Sequence, residues 1–134
     1  MKSMIPVCTG LARGVVRLLP DLAGRVETKA IRVPVVNVSA IDLVVTLKHA
    51  AKVADVNTLL RHAADGRESG RMAYTAEPHA SIDFNHSPHS AIIDAGQTRM
   101  SGDRLLNLLI WFDNEWGFAN RMLDVAACWG ERMA

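Results

Sequence analysis

Leu105-Leu106-Asn107-Leu108-Leu109-Ile110-Trp111-Phe112-Asp113-Asn114-Glu115-Trp116-Gly117-Phe118-Ala119-Asn120-Arg121 holds the sharpest change of pattern in the chain. Leu105 to Phe112 has the length and apolar density of a buried strand. From about Glu115 the period changes: Phe118, Met122, Val125 and Trp129 recur at helical spacing along one face. The sequence therefore predicts a strand that feeds straight into a C-terminal helix ending near Gly130. Asp113 and Asn114 are both good N-cap residues, and Glu115 falls in the first turn, where the helix dipole favours an acid. Capping accounts for Asp113 and Glu115. It does not account for the two flanking tryptophans, because large aromatics beside a side-chain amide suit the wall of a ligand pocket.

Upstream, Asn37 to Lys48 is the clearest strand. Ile41, Leu43, Val45 and Leu47 alternate with Asp42, Val44, Thr46 and Lys48, giving one apolar and one mixed face. Val53, Val56, Leu59, Leu60, Ala63 and Ala64 then repeat at helical spacing, with His62 at the edge of the stripe and Gly66 as the stop. Short strands are expected at Arg71–Thr75, Ala91–Asp94 and Thr98–Ser101, with a loop over Asp83–Ser90 and turns at Gly96 and Gly102-Asp103. Near the N-terminus, Leu11, Val15, Leu18 and Leu19 form a helical stripe capped by Thr9 and closed by Pro20 and Gly24. Val26 to Val33 reads as a strand. Strands that cluster without intervening helices imply a mostly antiparallel sheet with helices on one face, an α+β domain spanning residues 1–134.

Composition narrows the function. The chain has 134 residues, 49% of them hydrophobic and 22% charged, with a formal net charge of +1, which is the balance of one folded domain. No basic run or basic–aromatic interleaving points to nucleic acid. No apolar stretch approaches the roughly 20 residues that span a bilayer. Lys2 is followed too soon by Pro6, Arg13 and Arg17 for a signal peptide. Cys8 and Cys128 make no disulfide framework, so a reducing cytoplasm is expected.

Several residues carry possible chemistry. Thr9-Gly10 at a helix start is a cap and, by the same geometry, a place for an anion. Arg32 in an apolar strand needs a counter-charge or solvent. Asp42, a lone carboxylate on a strand, reads as a structural acceptor. His86 and His89, with Asp83 nearby, have tight spacing, but Pro88 intervenes and no third ligand completes a metal motif, so no metal is assigned. Cys8 precedes a helix N-terminus, which lowers a thiol pKa, but no His is near in sequence. Cys128 belongs to the last helix and is expected to be packed.

Asp113-Asn114-Glu115-Trp116-Gly117-Phe118 resembles the C-terminal signature of the glyceraldehyde-3-phosphate dehydrogenase superfamily. Arg32-Val33-Pro34 with Asn37-Val38-Ser39 resembles its phosphate-site hallmark. Asp83-Phe84-Asn85-His86 with Pro88-His89-Ser90, Thr98-Arg99 with Ser101-Gly102, Ala40-Ile41-Asp42-Leu43 and Phe118 to Asp124 are similar to the erythrose-4-phosphate dehydrogenase branch. The resemblance covers Ile5 to about Ala127. It implies a catalytic domain in which Thr9, Gly10 and Arg32 hold a substrate phosphate and Asn114 binds the nicotinamide carboxamide of NAD. It also implies a sugar-phosphate aldehyde as substrate, a dinucleotide-binding domain or polypeptide as partner, and a homo-oligomer, in the family a tetramer. The family's nucleophilic Cys, its Asn partner and its activating His match no residue here, and no Gly-rich dinucleotide motif occurs. The expectation is a fragment inactive alone. Glyceraldehyde 3-phosphate as substrate, or a non-catalytic oligomerisation module, are the alternatives.

Overall fold

A computed structural model describes residues 3–133, so Lys2 and the two chain ends lie outside the described residues. The chain is α+β and divides into two units, Met1–Val36 and Asn37–Ala134.

In the first unit, strands β1 (Ile5–Val7) and β2 (Ala30–Arg32) pair antiparallel, with Ile5 opposite Arg32 and Val7 opposite Ala30. Helix α1 (Leu11–Leu18) follows β1, and Pro20–Leu22 forms one 3-10 turn. The sequence reading missed β1, which is only three residues long and contains Pro6. It also made β2 too long. Residues Val26 to Lys29 are not strand, and Thr28 instead turns its hydroxyl to accept the Ala12 N–H of α1 at 3.3 Å. No described residue of this unit is buried.

The second unit is built on a four-stranded sheet in the order β3 (Ser39–Thr46), β6 (Leu105–Phe112), β5 (Ala91–Ser101), β4 (Met72–Thr75). The β3–β6 and β6–β5 pairs are antiparallel and β5–β4 is parallel, so the sheet is mostly antiparallel as expected. Its register joins Ile41 to Ile110, Leu43 to Leu108 and Ile93 to Ile110, and strand alternation puts these side chains on one face. Helix α2 (Val53–Asp65) packs on β4 and β5, with Arg61 lying 4.7 Å over the Tyr74 ring. Gly66 ends α2 and donates to His62 O, as read from sequence. Leu59, assigned to the buried stripe, is 67% exposed and His62 is exposed.

Gly96 does not separate two strands. β5 runs through it, and the ladder advances from Asp94 to Arg99 on β5 while β6 moves only from Leu109 to Asn107. This bulge disturbs the ladder pairing. Asn57 of α2 meets it, donating to Ala95 O at 3.4 Å and accepting from the buried Thr98 hydroxyl at 2.7 Å. Asp42 accepts from Asn107 on the neighbouring strand, the structural role expected of it. On the opposite face from α2, Val38, Phe84 and Ile92 form a small core with Ala73 and Trp111 against it. Phe84 comes from a 3-10 helix, Ser81–Phe84, that overlaps the start of the segment read as loop, and stacks on Trp111 with centroids 5.6 Å apart.

Helix α3 (Asn114–Met133) starts one residue earlier and ends later than expected. Its apolar face stays largely open, with Phe118 66%, Met122 57% and Trp129 65% exposed. Among the described residues no helix is long and apolar enough to cross a membrane.

Candidate functional site

β6 delivers the chain to the sheet end at Phe112, and the next residue is the most buried polar group in the second unit. Asp113 is 1% exposed. Its Oδ1 accepts the Trp116 N–H at 3.0 Å and its backbone carbonyl accepts Gly117 N–H at 2.9 Å, so Asp113 is the N-cap of α3. Its Oδ2 accepts the His86 N–H at 2.8 Å and the Asn37 amide at 2.9 Å. The Asn37 amide also donates to Asn85 Oδ1 at 2.7 Å. One carboxylate thus joins the segment leading into β3, the loop after the 3-10 helix, and the start of α3. Burial is the largest influence on its pKa and pushes it up. The N–H donors of Trp116 and His86, the Asn37 amide and the nearby imidazole of His86 together outweigh burial, and they hold the carboxyl below its ordinary range.

Two strained residues flank this node. Val38 has φ of 71° and His86 of 59°. A β-branched residue in the left-handed region costs on the order of 1–3 kcal/mol, so the surroundings must enforce it. Val38 is buried against Phe84 and Ile92, and Asn37 beside it is fixed by Asp113. The twist at His86 aims its N–H at Asp113 and lays its ring 4.7 Å from the Trp116 ring.

Asn114 is therefore the first residue of α3 and not its cap, which corrects one sequence assignment. The cap position went to the more deeply held Asp113. Asn114 is exposed and its amide has no partner among the described residues. Glu115 occupies the first turn, as expected. Gly117 lets the helix approach the loop: a Cβ there would meet His89 O at 3.2 Å. Arg121 adds ties to Pro88 O, to Ser90 Oγ at 3.0 Å and to Asp124 at 2.7 Å.

In the first unit Thr9 is not the α1 N-cap either. Gly10 takes that place, and Thr9 Oγ1 accepts the Leu11 N–H at 3.2 Å. With Ala12 N–H on Thr28, two of the free donors at the helix start are already used. Arg32 ends β2, exposed and without a hydrogen bond or ion pair among the described residues. The β1–β2 register sets it opposite Ile5, at the far end of the ribbon from the Thr9-Gly10 turn.

The other candidates separate. Both cysteines are free and exposed, so Cys128 is not packed as expected: α3 turns that side to solvent. His86 faces Trp116, whereas His89 Nδ1 lies 3.2 Å from Ser87 Oγ. Among the described residues no group of three or more His, Cys, Asp or Glu could hold a metal ion. Sequence reasoning named Asn37 and Asn85 only inside motifs, and weighed His86, beyond its motif, only as a metal-ligand candidate. Their role as a clamp around Asp113 needs contacts up to 76 residues apart in the chain.

Compared with protein-family models, residues 1–114 match the one described as "Glyceraldehyde 3-phosphate dehydrogenase, C-terminal domain", 114 of the chain's 134 residues.

Proposed function

The chain belongs to the glyceraldehyde 3-phosphate dehydrogenase C-terminal domain family, a dehydrogenase catalytic domain, and from that membership we propose that it serves NAD-dependent oxidation of a sugar-phosphate aldehyde, with erythrose 4-phosphate as the preferred substrate. The observation that carries this reading is Asn114. It stands exposed on the first turn of α3, held by a buried cap and beside Trp116. A side-chain amide offers both a donor and an acceptor, the complement of a carboxamide. Family enzymes use NAD, which supplies the hydride acceptor when bound. In this proposal Asn114 fixes the orientation of its ring.

In this proposal anion binding falls to the first unit, at two separate places, because Arg32 and Thr9-Gly10 lie at opposite ends of the β1–β2 ribbon. Arg32 has a guanidinium with no partner among the described residues, a permanent charge with a planar fork suited to phosphate. Thr9 accepts one backbone bond but keeps its O–H to donate, and Gly10 offers close approach of backbone. The motif Asp83 to Ser90 favours the four-carbon substrate over glyceraldehyde 3-phosphate by resemblance. Neither Cys8 nor Cys128 has an imidazole partner among the described residues. The thiolate and base that start aldehyde oxidation therefore come from outside this set of residues, together with a dinucleotide-binding domain. The exposed apolar residues of α3 favour the second reading, an oligomerisation module, in which the same chain assembles without chemistry.

Kinetics of the chain joined to a family dinucleotide-binding domain test the first reading. Arg32→Lys exchanges a bidentate fork for a point charge and is expected to lower kcat/KM for the phosphorylated aldehyde roughly tenfold. An unchanged kcat/KM with a lowered Tm would give Arg32 a structural role instead.

A further inference from the structure

Three side chains to which the dehydrogenase reading gives no chemical role meet at the end of β4. Thr75 Oγ1 lies 3.1 Å from His79 Nε2, and His79 Nδ1 lies 3.7 Å from Asp83 Oδ2. Each member is held from its other side. The Thr75 oxygen accepts the Glu77 N–H at 3.2 Å, which fills one lone pair and leaves its O–H for the imidazole. Asp83 Oδ2 accepts the Ala80 N–H at 2.8 Å. The buried Phe84 ring meets His79 edge-on at 5.1 Å and limits the tilt of the imidazole. The His79 side chain keeps 31% of its surface open, so a small molecule can reach the hydroxyl–imidazole pair.

We propose that Thr75, His79 and Asp83 are a hydroxyl–imidazole–carboxylate triad that takes acyl groups from small activated esters, an activity independent of aldehyde oxidation. The roles follow from the order of contacts. With the proton on Nδ1, the tautomer that faces a carboxylate, Nε2 is free to accept. Thr75 Oγ1 attacks the ester carbonyl and its proton passes to His79 Nε2. The bond to the leaving alcohol breaks, and the departing oxygen takes that proton from Nε2. Water then attacks acyl-Thr75 and gives one proton to Nε2. The acyl–Oγ1 bond breaks, Oγ1 recovers the proton, and a carboxylic acid leaves. The Asp83 carboxylate faces the imidazolium across the 3.7 Å gap and stabilises it. Every atom and electron pair in the cycle comes from the ester, water and these side chains.

The test uses p-nitrophenyl acetate on the full chain carrying Cys8→Ser and Cys128→Ser, because both thiols are exposed and would be acetylated themselves. The expected result is release of nitrophenolate with an acetyl group located on Thr75 by peptide mass spectrometry. Thr75→Val and His79→Gln are each expected to lower the rate roughly tenfold or more, while Thr75→Ser retains it. Circular dichroism on each variant separates lost chemistry from lost fold, and His79→Gln, on an exposed loop, decides the matter if Thr75→Val unfolds. Acetylation confined to lysines or the N-terminus, or Thr75 acetylated equally fast in His79→Gln, would overturn the proposal. Neither result bears on Thr9, Gly10, Arg32 or Asn114, the binding residues of the dehydrogenase reading.

Discussion

At the scale of single residues, Asp113 ties distant segments of the second unit together. It satisfies three donors from three segments with one buried carboxylate. Removing it leaves those donors unpaired, so Asp113→Ala is expected to cost roughly 2–4 kcal/mol, a cap plus buried hydrogen bonds. Its folded pKa lies below the unfolded one. The sign follows from linkage: a depressed carboxylate stabilises the fold above its unfolded pKa, near 4, and that contribution is lost as pH falls through the lower folded value. Urea melts at pH 7 and pH 3 check this. The native chain is expected to lose stability between them, and Asp113→Asn to lose less, because it no longer titrates. Equal losses would mean that other carboxylates govern acid unfolding. Asn114, one residue on, makes no such contacts, so Asn114→Asp is expected to shift stability by less than about 0.5 kcal/mol. In the chain joined to a family dinucleotide-binding domain, the same change is expected to weaken NAD binding by replacing an amide donor with a charge, and unchanged affinity would remove Asn114 from the proposed cofactor site.

At the scale of elements, α3 shows why neighbouring glycines differ. Gly117 lies against the His89 carbonyl, where an added Cβ would sit at 3.2 Å from backbone oxygen, whereas Gly130 has nothing within 4 Å. Alanine gains about 1 kcal/mol of helix propensity over glycine at either site. Gly130→Ala is expected to gain up to that amount. Gly117→Ala is expected to be net destabilising, because the loop it presses on is pinned through Asp113 and Arg121. Thermal melts of the two variants should move in opposite directions. The strands of the sheet and α2 were legible in the sequence because their periods are long: Ile41 to Leu47 alternates and Val53 to Ala64 repeats. The 3-10 helix at Ser81–Phe84 and the three-residue β1 were not, since neither is long enough to show a period. The bulge at Gly96 read as a turn because glycine marks both, and only the β6 register tells them apart. The Asp113 clamp was half legible: the cap is local and could be read, but its bonds to Asn37 and His86 are long-range.

At the scale of the whole molecule, the second unit carries a small core and an open α3 face. Phe118, Met122, Leu123, Val125 and Trp129 are each at least half exposed, which is costly in water unless another surface covers them. The isolated chain is therefore expected to self-associate in a concentration-dependent way in analytical ultracentrifugation, and Met122→Glu with Trp129→Glu to reduce it. A monomer at all concentrations would show that these residues are tolerated in solvent. The family assignment gives the surface a second meaning, since a dinucleotide-binding domain is the expected partner of a catalytic domain of this kind. Under the proposed function this chain would supply binding groups for aldehyde oxidation, and its nucleophile would come from a partner polypeptide. The direct measurement is the absorbance of reduced cofactor in mixtures of chain, NAD and erythrose 4-phosphate, repeated with glyceraldehyde 3-phosphate. No turnover by the chain alone, and saturable turnover once a separately expressed dinucleotide-binding polypeptide bearing the catalytic thiol is added, is the predicted result. Turnover by the chain alone that Cys8→Ser abolishes would make Cys8 the nucleophile and contradict the proposed function.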